Sequence, residues 1–406
     1  MTKPSTRPRD YQGPAILSYG FRPFFFLAGV WAFGAMLVWI LMLTGREVLP
    51  LEMGAVDWHV HEFLFGYLSA VVAGFILTAI PNWTGRLPIT GWRLLVLVLL
   101  WIAGRLVMAT SALIAPLLVA GVDLLFLAAL SLAILREILA GRNWRNLPVF
   151  AMISLMVIAN ALFHAENITS GTAATGYGSN LAIAVVVMLI SLIGGRIVPS
   201  FTRNWLVKNQ SQGPLPAPAG RLDMAILLFS GLTLLAWLVE PEARLSGFLM
   251  ILAGFANLWR LARWQGRQST HEPLLWVLHV GFLFIPLGFL IIGGAVIWPD
   301  VIPPFAAKHA WLVGAFGTMT LAVMTRATLG HTGRELRAGP GITLIFLLIL
   351  GAGFLRVLAG FWPGEIALLH ASAAFWIGAY GLFTILFAPL LLRPKEGAKA
   401  ASKPGN

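Results

Sequence analysis

The sequence predicts an all-α integral membrane protein with twelve transmembrane helices. Three observations predict it. Apolar residues make up 58% of the 406-residue chain and charged residues only 11%, where a soluble domain carries about 25% charged residues. The apolar residues gather in runs of about 20, the length at which an α-helix crosses the hydrocarbon core of a bilayer. The basic residues concentrate on every second connection, as the positive-inside rule requires.

The spans follow in order. The first, 22–44, opens on Pro23, and proline suits the first turn of a helix. It is too long for the apolar part of a secretory signal and has no small-residue cleavage site after it. The second, 59–81, begins at His59 and His61 and ends at Pro81. The third covers 92–110 and the fourth 112–139, with Asp123 near its middle. The fifth, 148–165, opens on Pro148 and closes on His164; the sixth is 176–199. The longest connection, 200–221, carries QSQGPLPAPAG and reads as a flexible loop. The remaining spans are 222–240, 244–263, 273–297 (opening on Pro273), 308–330, 341–361 and 364–392. The polar, basic tail 393–406 is expected to be disordered. Short connections leave no room for a separate soluble domain, so the chain reads as one polytopic membrane domain.

The net charge of +12 does not point to nucleic acid, because of where the charge sits. Of the 28 Lys and Arg, all but five lie in the tails or on connections after even-numbered spans. The exceptions are Arg46, Arg244 and Lys308 on the opposite side, and Arg105 and Arg356 near the outer ends of spans three and eleven. Both termini are therefore expected in the cytoplasm. The chain has no cysteine, which excludes disulfides, thiolate catalysis and cysteine-held clusters. There is no P-loop and no dinucleotide-binding glycine fingerprint.

An internal threefold repeat is expected. Pro23, Pro148 and Pro273 open spans one, five and nine at equal intervals. With His61 set opposite His309, Leu64 meets Leu312, Gly66 meets Gly314, and Thr84-Gly85-Arg86 meets Thr332-Gly333-Arg334 without a gap. These matches divide the chain into units of about 22–140, 148–264 and 273–392, a pseudo-threefold set of four-helix units with spans two, six and ten innermost.

Ionisable groups in a membrane are costly, so the eight histidines are the first functional candidates. The topology puts His59, His61, His164, His309 and His370 toward the outer face, on four different helices. Neutral imidazole suits copper, iron and zinc. His59 and His61 diverge by about 200° on a regular helix, so they serve two centres, or one if His59 lies in the cap. Glu62 is three residues from His59 and can share its face. Asn160 and His164, at i and i+4, share a face of span five. Arg105 and Arg356 are either cationic partners for haem propionates or snorkelling side chains. Asp123 is either a proton-relay acid or a helix-to-helix hydrogen bond.

The run GFRPFFFLAGVWAFGAMLVW from Gly20, followed by WHVHEFLFGYLSAVVAGFILTAIPNWTGR from Trp58, resembles the NnrS family, haem- and copper-containing bacterial inner-membrane proteins of the nitric oxide response. RIVPSFTRNW from Arg196 and KHAWLVGAFGTMTLAVMTRATLGHTGRE from Lys308 resemble the same family. His59, His61 and Glu62 match its helix-two signature, and His309, Arg326 and His331 its helix-ten signature. The resemblance implies b-type haem, copper, protection against nitrosative stress and residence in the inner membrane, with the metal site toward the periplasm. Twelve helices in three arcs are also the plan of haem–copper oxidases and nitric oxide reductases. The sequence departs from those enzymes in lacking an adjacent His-His pair, and span six offers Ser179 and Asn180 where a metal ligand belongs.

Three functions follow from these readings. The first is reduction of nitric oxide to nitrous oxide. His61 and His309 are then haem ligands, with Arg105 and Arg356 as propionate partners. His59, His164 and His370 hold copper, Glu62 is ligand or proton donor, and a quinol or cytochrome supplies electrons. The second is non-catalytic binding of nitric oxide or protection of metal pools. The third is transport.

Overall fold

The computed structural model describes residues 11–394, apart from the side chains of 304–306. The expected basic tail lies, from residue 395 onward, outside the described residues. Among those described, all regular structure is helical, and twelve helices are long and apolar enough to cross a membrane. They are α1 (Phe21–Leu43), α2 (Ala55–Thr84), α3 (Trp92–Ala109), α4 (Pro116–Ala140), α5 (Leu147–Ser170), α6 (Tyr177–Lys208), α7 (Arg221–Val239), α8 (Arg244–Ala262), α9 (Pro273–Ile297), α10 (Pro304–His309, Ala310–Gly317 and Thr318–Thr332 in succession), α11 (Pro340–Phe361) and α12 (Ile366–Leu392).

Three helices are longer than their apolar runs. α2 starts at Ala55, so His59 lies inside the helix and not in its cap. α5 continues to Ser170. α6 continues to Lys208, and the first part of the expected 200–221 loop is helical. Pro199 lies inside α6, where a proline removes one backbone bond without ending the helix. Thr202 Oγ1 donates to the Val198 carbonyl (2.9 Å) just past it. Polar residues such as Arg203 and Asn204 end an apolar count without ending a helix, which is why hydropathy stops short there.

The chain forms two compact units. The first takes in residues through Ala182, with Met324–Leu336 and the chain from Tyr380 onward. It contains α1–α5, the start of α6 and the C-terminal ends of α10 and α12. Phe24, Phe25 and Ala28 of α1 are fully buried, and the Phe21 amide donates to Thr78 Oγ1 of α2 (3.0 Å). Arg22 is buried and donates to the carbonyls of Leu390 (3.1 Å), Leu391 (3.0 Å) and Arg393 (2.7 Å). The last carbonyls of α12 have no intrahelical partner, and this guanidinium supplies one. Asp57 in the first turn of α2 accepts from the amides of Ala173 (2.8 Å) and Ala174 (2.6 Å) and fixes the connection before α6. Glu166 accepts from the Tyr177 amide (2.7 Å) and caps α6 itself.

The second unit comprises Ile183–Val323 and Arg337–Ala379. α8 and α9 approach closely through Gly247, Gly254 and Gly293, the small-residue contact by which membrane helices pack backbone to backbone. Asp223 of α7 accepts from Arg260 Nε (3.1 Å) and Arg263 Nη1 (3.2 Å) of α8. Arg260 also donates to the Ser191 carbonyl of α6 (3.1 Å). Thr202 of α6 and the buried His279 of α9 are hydrogen-bonded at 2.8 Å.

Arg22→Gln is expected to lower the stability of the solubilised protein by about 1–2 kcal/mol, because three helix-end carbonyls lose their donor. A thermal midpoint equal to that of the native chain would show that Arg22 does not hold the end of α12.

Candidate metal centre

A group of ionisable and polar side chains closes inside the first unit, built from four helices. α2 contributes His61 and Glu62, α3 Arg105, α4 Asp123, and α5 Asn160 and His164. All six are buried. Asp123 is the hub. One of its oxygens lies 3.1 Å from His61 Nε2 and 3.1 Å from His164 Nε2, and accepts from Asn160 Nδ2 at 2.7 Å. The other accepts from Arg105 Nη2. Arg105 Nη1 donates to Glu62 Oε2 (2.6 Å), and Glu62 Oε1 lies 3.2 Å from His61 Nδ1. Asn160 Oδ1 lies 3.1 Å from His61 Nε2.

The local winding of α2 sets this up. The helix is α-helical to His61 and then π-helical over Glu62–Tyr67. π turns use i→i+5 bonds, are wider than α turns, and recur at functional sites. The wide turn carries Glu62 beside His61 and Arg105. Ser69 Oγ donates to the carbonyls of Phe65 and Gly66 where the wide turn ends, and Trp101 Nε1 donates to the Gly66 carbonyl (2.9 Å). A Cβ at Gly66 would lie 2.5 Å from Arg105 Nη1 and 2.7 Å from Glu62 Oε2, so a side chain there would push the ion pair out of place. A Cβ at Gly104 would lie 2.9 Å from Asp123 Oδ1. α10 repeats the device, with π-helical Ala310–Gly317 directly after His309 and Thr320 Oγ1 donating to the carbonyls of Phe316 and Gly317.

Two carboxylates and one guanidinium leave one unbalanced negative charge. Buried charge without compensation is strongly destabilising. A proton carried by the imidazoles, or a bound cation, supplies the balance. The donor atoms of His61, Asp123 and His164 lie within 4.8 Å of one another. Ligand bonds of about 2 Å put the donors of one ion up to about 4 Å apart, so a small contraction closes the set. Imidazole and carboxylate donors suit first-row ions such as copper, iron and zinc. Two donors, Arg105 Nε and Trp31 Nε1, are buried without an acceptor, and the Trp31 donor lies 3.0 Å from the Cβ position of Gly66. They offer hydrogen bonds to a small acceptor at the edge of the cluster.

Of the residues expected from sequence, His61, Glu62, Arg105 and His164 come together here. His59 points elsewhere: it is half-buried and stacks on Trp39 at 4.3 Å and 15°, with Phe63 at 4.8 Å. Glu62, expected to share the face of His59, meets His61 and Arg105 at the start of the π turn. Arg105 is held inside by two carboxylates and does not snorkel. His309, Arg356 and His370 belong to the second unit, the first two half-buried and His370 exposed. His331 stacks on Phe21 at 5.3 Å in the first unit. Asp123, left open between a relay acid and a helix-to-helix bond, is the residue that joins the cluster. Its signal in sequence was an acid inside one apolar run and an arginine, Arg105, inside the run before it.

A comparison with curated proteins finds no match. The family model described as NnrS protein matches residues 15–395 of the 406-residue chain. That match spans every helix and every member of the buried cluster, and the chain belongs to the NnrS family.

Proposed function

We propose that this protein is a haem- and copper-binding inner-membrane protein of nitric oxide metabolism that reduces nitric oxide to nitrous oxide and so protects against nitrosative stress. Membership of the family fits a membrane protein of the nitric oxide response. The observation that carries the reading is the buried His61–Asp123–His164 group, whose donor set fits a metal ion. Copper is assigned to this group. Haem is assigned through the family, with His309 as its candidate ligand.

His61 is better suited to the small ion than to haem. Both of its ring nitrogens are engaged at 3.1–3.2 Å. Phe65, Phe163 and His164 pack around the ring at 5.2–5.4 Å and hold its orientation toward Asp123. Asp123 orients both imidazoles, and Glu62, 3.2 Å from His61 Nδ1, would relay protons toward the site through that imidazole. Reduction of two nitric oxide molecules takes two electrons and two protons and yields nitrous oxide and water. A quinol or cytochrome supplies the electrons, and the neutral, apolar gas arrives through the lipid. Lewis-acid and redox chemistry is what the metals would supply.

One observation favours a second reading, in which nitric oxide is bound without turnover. Arg105 already occupies an oxygen of each carboxylate, so the cluster is closed on itself and its acids are committed to an ion pair.

His61→Ala and His164→Ala are each expected to lower copper affinity by about tenfold or more, measured as metal retained by the purified protein. Native copper content in both would remove this group as the copper site. With an artificial reductant, the metal-replete protein is expected to make nitrous oxide over many cycles. Uptake that stops near one nitric oxide per metal, with the metals demonstrably reduced, would favour the second reading.

A further inference from the structure

A second polar site lies at a helix-end face of the first unit. The end of α2, the connection to α3, the start of α3 and the end of α4 enclose an open cavity of about 610 Å³. Arg86, Arg93 and Arg136 line it, with Trp92 and Glu137. Glu137 neutralises Arg86 (2.6 Å). Arg93 and Arg136 are exposed and form no ion pair among the described residues, so the cavity carries two uncompensated guanidinium groups. Arg93 lies 5.7 Å from the ring of Trp92, which is itself exposed.

Trp92 opens an apolar span, and interfacial tryptophan marks headgroup depth. From this rim, α3 presents Leu95, Val96, Leu99 and Leu106, all exposed, in a stripe running toward the bilayer interior. Guanidinium groups recognise phosphate oxygens through charge-assisted, paired hydrogen bonds. A phosphate seated between Arg93 and Arg136 has an apolar track beside it for acyl chains, which a free phosphate does not need. The charge bias assigns this end to the cytoplasmic leaflet, where anionic lipids reside. We propose that this cavity binds the headgroup of an anionic phospholipid, with Arg93 and Arg136 holding the phosphate and α3 the chains.

The test uses full-length protein stripped of lipid in a neutral detergent. Phosphatidylglycerol, phosphatidylcholine or inorganic phosphate is added, and the thermal midpoint and the lipid retained in native mass spectrometry are read. Phosphatidylglycerol is expected to raise the midpoint and to be retained, and the other two are not. The double variant R93Q/R136Q, with its midpoint in phosphatidylcholine unchanged, is expected to need roughly tenfold more phosphatidylglycerol for the same shift. Equal effects of the two lipids, an undiminished response of the variant, or an equal effect of inorganic phosphate would each overturn the proposal. If the double variant does not fold, the native protein's preference between the two lipids decides the matter.

Discussion

The carboxylate of Asp123 ties four helices of the first unit together. It accepts hydrogen bonds or ion pairs from α3 through Arg105, from α5 through Asn160 and His164, and from α2 through His61. In a bilayer, lipid is as apolar as leucine, so no hydrophobic drive pulls helices together and polar contacts carry more of the specificity. A buried acid in such a place is tolerated only with partners, and removing one partner strands the rest. The convergence of α2, α3, α4 and α5 follows from that requirement. The π turn begins at Glu62, and the glycines at 66 and 104 leave room where a Cβ would displace Arg105 and Glu62 at the first and Asp123 at the second.

The same electrostatics links the fold to the proposed chemistry. A cluster with one unbalanced negative charge accepts a proton or a cation, and a group that must be neutralised is a ready site for a metal. Two imidazoles and a carboxylate oxygen set on three rigid helices leave little to rearrange on binding. α10 carries a π stretch after His309 in the way that α2 carries one after His61, so the sequence match between the two histidines extends to an unusual backbone feature.

The transmembrane helices were legible in the sequence because length and hydropathy decide them. Helix ends were less so: α6 passes through Pro199 to Lys208, where polar residues hide a continuing helix from an apolar count. At the site, i,i+4 spacing placed Asn160 and His164 on one face correctly, since α5 is regular there. Glu62 meets His61 and Arg105 where the helix changes its winding, and no residue pattern announces a π turn. The expected topology grouped histidines by membrane side and said nothing of their neighbours. It could not separate His59, which stacks on Trp39, from His61, which meets Asp123. The pairing of Arg105 with Asp123 needed the fold, although both stood out as charges within apolar runs.

The central claim is that copper sits on His61, Asp123 and His164. Copper K-edge X-ray absorption on the metal-loaded protein tests it most directly, with His61→Ala/His164→Ala beside the native chain. The account predicts a first shell of nitrogen and oxygen at about 2 Å with the outer-shell signature of two imidazoles, lost in the double variant. A sulfur-containing shell from methionine, or an imidazole signature that survives the double substitution, would contradict it.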